Sequence, residues 1–234
     1  MKKNLSSVLS LLVVVLLTMT SCDSNEQSEN DQNNTLKTST EIRSTLSHND
    51  FLNVQKSIIS RFYGAHTRAE EVLSETEAQQ MLDPLAIDGA AIVDQIQGAV
   101  QAGEFEITAA EALQLEELSS EQLAELSFVI NNLNNPSVMD ELFSYIHQNI
   151  DPDMPPILYE PGAYTRQDLV DCLTVAFGLA VISGLWGYID GTYSLMTATT
   201  AFNIVRALVS RTLSWVGIAY AAYEYANCLH SKKK

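Results

Sequence analysis

Residues 70–160 contain no lysine and no arginine, against nineteen aspartates and glutamates. Neutralising phosphates takes clustered basic side chains, so no nucleic acid is expected as a partner of this stretch. A Gly-x-Ser-x-Gly elbow, a phosphate-binding glycine loop ending in Lys-Ser or Lys-Thr, a His-Glu-x-x-His pair and a Cys-x-x-Cys pair are all missing, and with them the sequence-local signatures of the common hydrolytic and redox chemistries. The four histidines, His48, His66, His147 and His230, stand singly, so neighbouring histidines build no metal site. Period-two alternation is limited to scraps at 105–107 and 157–159, which leaves little material for a sheet. The expectation is an all-α chain that is not an enzyme and carries no cofactor.

What is present is helical. Asp50 is placed to cap a helix over 51–63, with Phe51, Val54, Ile58 and Phe62 at helical spacing and Gly64 ending it. Ser74 with Glu77 reads as a capping box for a short helix, and Asp83-Pro84 as the start of another that carries Leu85, Ile92, Ile96 and Val100 on its apolar side. Two further boxes, Thr108 with Glu111 and Ser119 with Gln122, open helices that turn Leu113, Leu123, Leu126 and Ile130 inward. A helix over 138–148 follows. The four prolines within 151–162 then read as a stiff connection. Asn149, Asp151, Asp153 and Glu160 match four oxygen positions of a calcium loop, but Met154 stands where such a loop needs glycine. This segment is therefore a polar linker.

The C-terminal part is the apolar one. Residues 172–189 are eighteen without charge, and on a helix Cys172, Ala176, Ala180, Ser183 and Gly187 line one face. Residues 207–229 give a second stripe of Ser210, Ser214, Gly217, Ala221 and Cys228. An antiparallel hairpin in which residue numbers sum to about 400 sets Cys172 opposite Cys228 and Ser183 opposite Gly217, with the chain returning as helix from about Thr199 that either overhangs or kinks before Thr212. A disulfide there would close a long loop, in an oxidising compartment only. Residues 172–189 just reach the length of a membrane span, whereas 212–223 are only twelve uncharged residues between Arg211 and Glu224.

Lys2 and Lys3 precede an apolar core from about residue 5 to 17, and the run ends Thr-Met-Thr-Ser before Cys22. The arrangement is that of an export signal, and it resembles a bacterial lipoprotein, whose cysteine after the cleavage site is acylated. Met19, Thr20 and Ser21 depart from the commonest lipobox and look more like the looser boxes of Bacteroidota lipoproteins. The resemblance covers about 22 residues, and it implies a lipid at Cys22, palmitate among its acyl chains, and residence at the cell envelope, in the outer membrane. With Cys22 taken by lipid, Cys172 and Cys228 remain as an even pair among three cysteines.

The expected organisation is therefore a signal peptide over 1–21, a disordered tether over 22–48, an acidic helical module over 49–150, the linker over 151–162 and a helical hairpin module over 163–234. Its expected role is binding or scaffolding at a membrane reached through the N-terminal lipid, with a basic protein or divalent cations as partner of the acidic module. The alternative is a toxin-like, membrane-active protein whose C-terminal hairpin inserts into a target bilayer.

Overall fold

The computed structural model describes residues 39–67, 73–134, 138–149, 165–178 and 196–232. Eight helices make up these residues: α1 (His48–Thr67), α2 (Glu75–Gln101), α3 (Ala109–Glu116), α4 (Ser120–Asn134), α5 (Val138–Asn149), α6 (Arg166–Phe177), α7 (Ala198–Val209) and α8 (Trp215–Lys232). There is no strand among them, only one antiparallel bridge between Glu41 and Thr197. The chain is all-α.

The capping boxes set the helix starts as their residue types require. The Ser74 hydroxyl accepts from the Glu77 amide while the Glu77 carboxylate accepts from the Ser74 amide, and Thr108 with Glu111 does the same. Ser119 and Gln122 exchange equivalent bonds at 2.9 and 3.3 Å. A fourth box, Thr165 with Asp168, opens α6. At α1 the cap is Ser47, whose hydroxyl accepts from the Asp50 amide and donates to its carboxylate; Asp50 is the partner of the cap, not the cap expected of it. α1 also runs past Gly64 to Thr67.

Pro84 lies inside α2, not at its start, so one helix of 27 residues replaces the two expected. Proline in a helix interior costs about 3 kcal/mol. Ala78, Leu82, Leu85, Ile92 and Ile96 form one unbroken buried face on both sides of it, and breaking the helix there would split that face. Leu113 is another correction: it is 52% exposed, and Leu115 fills the core from α3 instead. With two turns only, α3 presents a single residue to the core, and two positions along a helix is more than half a turn around it.

Packing centres on α2 against α4 and on α6 against α8. Gly89 is buried where α2 meets α4, and a Cβ built there would lie 2.0 Å from the Leu123 carbonyl oxygen. That close backbone approach is what the glycine permits. α8 also packs on α1 and α2, and α7 on α4 and α2. Helices from both sides of 151–162 thus share one core, with Phe128 of α4 ringed by Phe51, Phe177 and Tyr225 at centroid distances of 5.8, 5.2 and 5.7 Å. The linker itself lies outside the described residues.

The expected hairpin arms are interrupted, and residues 179–189 of the first lie outside the described residues. α6 stops at Phe177 because Gly178 takes a left-handed conformation, φ 63°, the usual helix stop for a residue without Cβ. Residues 207–229 are not one helix: α7 ends at Val209 and α8 starts at Trp215. None of the described helices is long and apolar enough to cross a membrane.

The tether expected over 22–48 is corrected at its C-terminal end, while 22–38 lie outside the described residues. Ile42 is fully buried, which stabilises by about 1.5–3 kcal/mol against exposure. Its amide donates to the Met196 carbonyl at 2.8 Å, and the Ala198 amide donates to the Thr40 carbonyl at 3.2 Å. Residues 40–46 therefore form a strap laid along α2 and across the start of α7.

Candidate functional site

The chemistry-bearing residues gather at three places, each built around side chains from helices distant in sequence. The first is Asp88, 0% exposed on α2. Its carboxylate accepts from the hydroxyls of Ser44 at 2.8 Å, Thr45 at 2.7 Å and Ser127 at 2.6 Å. It also accepts from the amides of Thr45 and Leu46 and from the side-chain amide of Asn131 at 3.2 Å. Burial opposes ionisation here, but the bonds from Ser127, Thr45 and Ser44 outweigh it and hold the carboxyl below its ordinary value. A carboxylate satisfied by this many donors serves as a structural node, with no lone pair aimed at solvent.

The second place joins α4 to the end of α7. Gln122 donates to the carbonyls of Leu208 and Val209 at 3.4 and 3.3 Å, at a helix C-terminus where Leu208 also accepts from the Arg211 amide at 3.0 Å. One turn on, Glu125 is 0% exposed and lies 2.7 Å from Arg211 Nη1. The contact is ionic without hydrogen-bond alignment: neither Glu125 oxygen nor Arg211 Nη1 makes a hydrogen bond among the described residues. Burial, only partly offset by Arg211, pushes the Glu125 carboxyl up to about 7. Arg206 reaches Glu111 at 2.5 Å on the same side and stacks on Phe202 at 4.7 Å. Both arginines of α7 and its exit are thus used within the fold, against acidic residues of the N-terminal half.

A raised carboxyl pKa has a definite linkage sign. Between the unfolded value near 4.5 and the folded value near 7 the native state holds the extra proton, so stability falls as pH rises through that window. The unfolding free energy of the natural chain from urea titrations should therefore drop between pH 5 and pH 8, by up to on the order of 3 kcal/mol. Glu125→Gln should flatten that slope and exceed the natural chain at pH 8. Equal slopes in the two proteins would show that Glu125 does not titrate there.

The third place is the covalent staple. Cys172 on α6 and Cys228 on α8 are joined, with Cα atoms 5.4 Å apart and 56 residues of separation. Lys232 sits beside it, 3.1 Å from Asp171 and 4.0 Å from Asp168, in the same antiparallel register. Exposed as these charges are, they add little.

Of the proposed contact stripe, Ala221 is buried and Ala176 half-buried, whereas Ser214 and Gly217 are exposed. Ser214 instead caps α8, accepting from the Gly217 amide at 3.1 Å. Among the described residues, a Cβ at Gly217 would touch only that Ser214 hydroxyl, at 3.1 Å. Ala180, Ser183, Gly187 and Cys22 lie outside the described residues. Of the calcium-like spacing, Asn149 ends α5 and Asp151, Asp153 and Glu160 lie outside them too.

An open concavity of about 820 Å³ lies between α1 and α2, with Val54, Leu73 and Met81 on its floor and Ser57, Arg61 and Glu77 around it. Arg61 and Glu77 come within 3.5 Å, both well exposed. Among the described residues no three His, Cys, Asp or Glu side chains stand close enough to hold a metal ion. Sequence reading missed Asp88 and Glu125. The signal at each was a lone carboxylate within an apolar helical stripe. No protein-family model, no curated protein and no solved structure matches the chain.

Proposed function

We propose that this is a lipid-anchored protein of the bacterial cell envelope, held at the outer membrane by acyl chains on Cys22, with a non-enzymatic binding or scaffolding role. The observation that carries the reading is the cysteine count. The chain has three cysteines, and two of them are joined between α6 and α8. A bond of that kind persists in oxidising compartments, and it leaves as the odd cysteine the one that follows an export-type segment. Two or more acyl chains hold a protein on a bilayer without any spanning helix.

A scaffolding role is favoured by how the buried carboxylates are used. Asp88 is engaged by six donors and Glu125 faces Arg211, so both serve the fold. The contact surface is the acidic exterior, where Glu75, Asp83, Asp94, Glu106, Glu116 and Glu117 are exposed. A basic protein or divalent cations fit it, through an attraction that salt screens; capture indifferent to salt would contradict this part.

Detergent-phase partition of the full chain, produced in a host with lipoprotein processing, tests the anchor. The natural chain should enter the detergent phase and Cys22→Ala the aqueous phase, each with Cys172 and Cys228 still bonded. The same partition for both proteins would defeat the reading.

A further inference from the structure

We infer that residues 40–46 are a latch, a strap that lifts from the helices as a local unit and so gives the chain two tether lengths. The strap is gripped by three side chains spaced along α2 and the turn after it. Glu104 accepts from the Thr40 amide at 2.8 Å and from its hydroxyl. Gln95 clasps the backbone of Arg43 in both directions, accepting from its amide at 3.0 Å and donating to its carbonyl at 2.8 Å. Asp88 takes Ser44, Thr45 and Leu46. The grips come in reverse order along the chain, so the strap runs antiparallel to α2 from its C-terminal end.

Two features make this a latch and not a part of the core. Its apolar hold is small: Ile42 is its one buried hydrophobic residue, and Leu46 is half-buried. Segments with few buried contacts open first, with the rest of the fold intact. More telling, the two central grips keep partners when the strap leaves. Asp88 retains the Ser127 hydroxyl at 2.6 Å and Asn131 at 3.2 Å, and Gln95 retains the Ala91 carbonyl at 3.2 Å. Lifting the strap therefore strands neither Asp88 nor Gln95, which are ready to take it back.

The consequence concerns reach. The seven residues 40–46, once lifted, lengthen the free chain ahead of α1 by roughly 24 Å of extended contour. For a chain held at Cys22, as proposed above, this lets the helices stand up to that much further from the membrane. The latch itself does not depend on the anchor, and its test needs no lipid.

Native-state hydrogen exchange of the full chain in low urea decides it. The amides of Ile42, Arg43, Thr45 and Leu46 should exchange through an opening nearly independent of urea. Amides within α4 and α8 should follow global unfolding. The double substitution Ser44→Ala with Thr45→Val removes hydroxyls from the strap alone. It should speed strap exchange at least tenfold and leave Leu126 and Ala222 amides unchanged. Strap and core amides sharing one urea slope in the natural chain would overturn the latch even if the double variant failed to fold. Unaltered strap protection in the folded double variant would overturn it as well.

Discussion

Gly89→Ala should cost about 3 kcal/mol or more of folding stability, a large loss for adding one methyl group. The methyl carbon would lie 2.0, 2.6 and 2.9 Å from the carbonyl oxygen, carbonyl carbon and Cα of Leu123. All three are backbone atoms of the first turn of α4, so no side chain can rotate away. The helices must part, and α2 against α4 is the most extensive helix pairing in the fold. Gly98→Ala, in the same helix, is the matched control. It is exposed with nothing within 4 Å of the added carbon, so it should stabilise by about 0.5–1 kcal/mol through helix propensity. Urea midpoints of the two variants should move in opposite directions. A neutral Gly89→Ala would mean that the helices do not approach this closely.

Removing the disulfide should be comparable in size. Tying Cys172 to Cys228 closes 56 residues of separation, which on the chain-entropy account stabilises by about 4 kcal/mol. The loop it closes holds α7 and all of α8 up to the cysteine. α8 contributes Ile218, Ala222, Tyr225 and Leu229 to the core, so loosening it reaches α1 and α2 as well. Cys172→Ala with Cys228→Ala should lower the thermal midpoint by roughly 10 °C in a chain of this size. Dithiothreitol should lower the natural chain to the same point and leave the double variant unmoved. A midpoint unchanged within a degree in both cases would remove the disulfide from the account of stability.

What the sequence made legible follows from which signals are local. Three capping boxes were readable because the two reciprocal bonds join residues three apart, and all three open helices here. The cysteine pairing was readable because helical periodicity placed both cysteines on facing stripes. The interruptions of the arms were not legible. Gly178 stops α6 in an otherwise apolar run, and a single glycine inside such a run does not announce a left-handed conformation. Pro84 misled in the opposite sense: its local cost is outweighed by a buried face that continues across it. The strap was missed because its sequence is polar, and its hold comes from Asp88 and Gln95 of α2 and Glu104 after it, 42 to 64 residues away. Asp88 stood out only as a lone carboxylate in an apolar stripe, and nothing local announced the hydroxyls of residues 44 and 45 that meet it. Small-residue stripes were read on 172–189 and 207–229, whereas the close backbone approach at Gly89, within Gly89-Ala90-Ala91, went unread. Spacing shows where small residues align, but not which alignment a partner helix uses.

The central claim is a division of the three cysteines: two for the fold and one for the membrane. Non-reducing peptide mapping of the protein isolated from its own envelope reads all three at once. The account predicts a linked peptide pair holding Cys172 and Cys228, and an N-terminal peptide that begins at Cys22 and carries acyl mass. A free or disulfide-bonded Cys22 still preceded by Ser21 would contradict it.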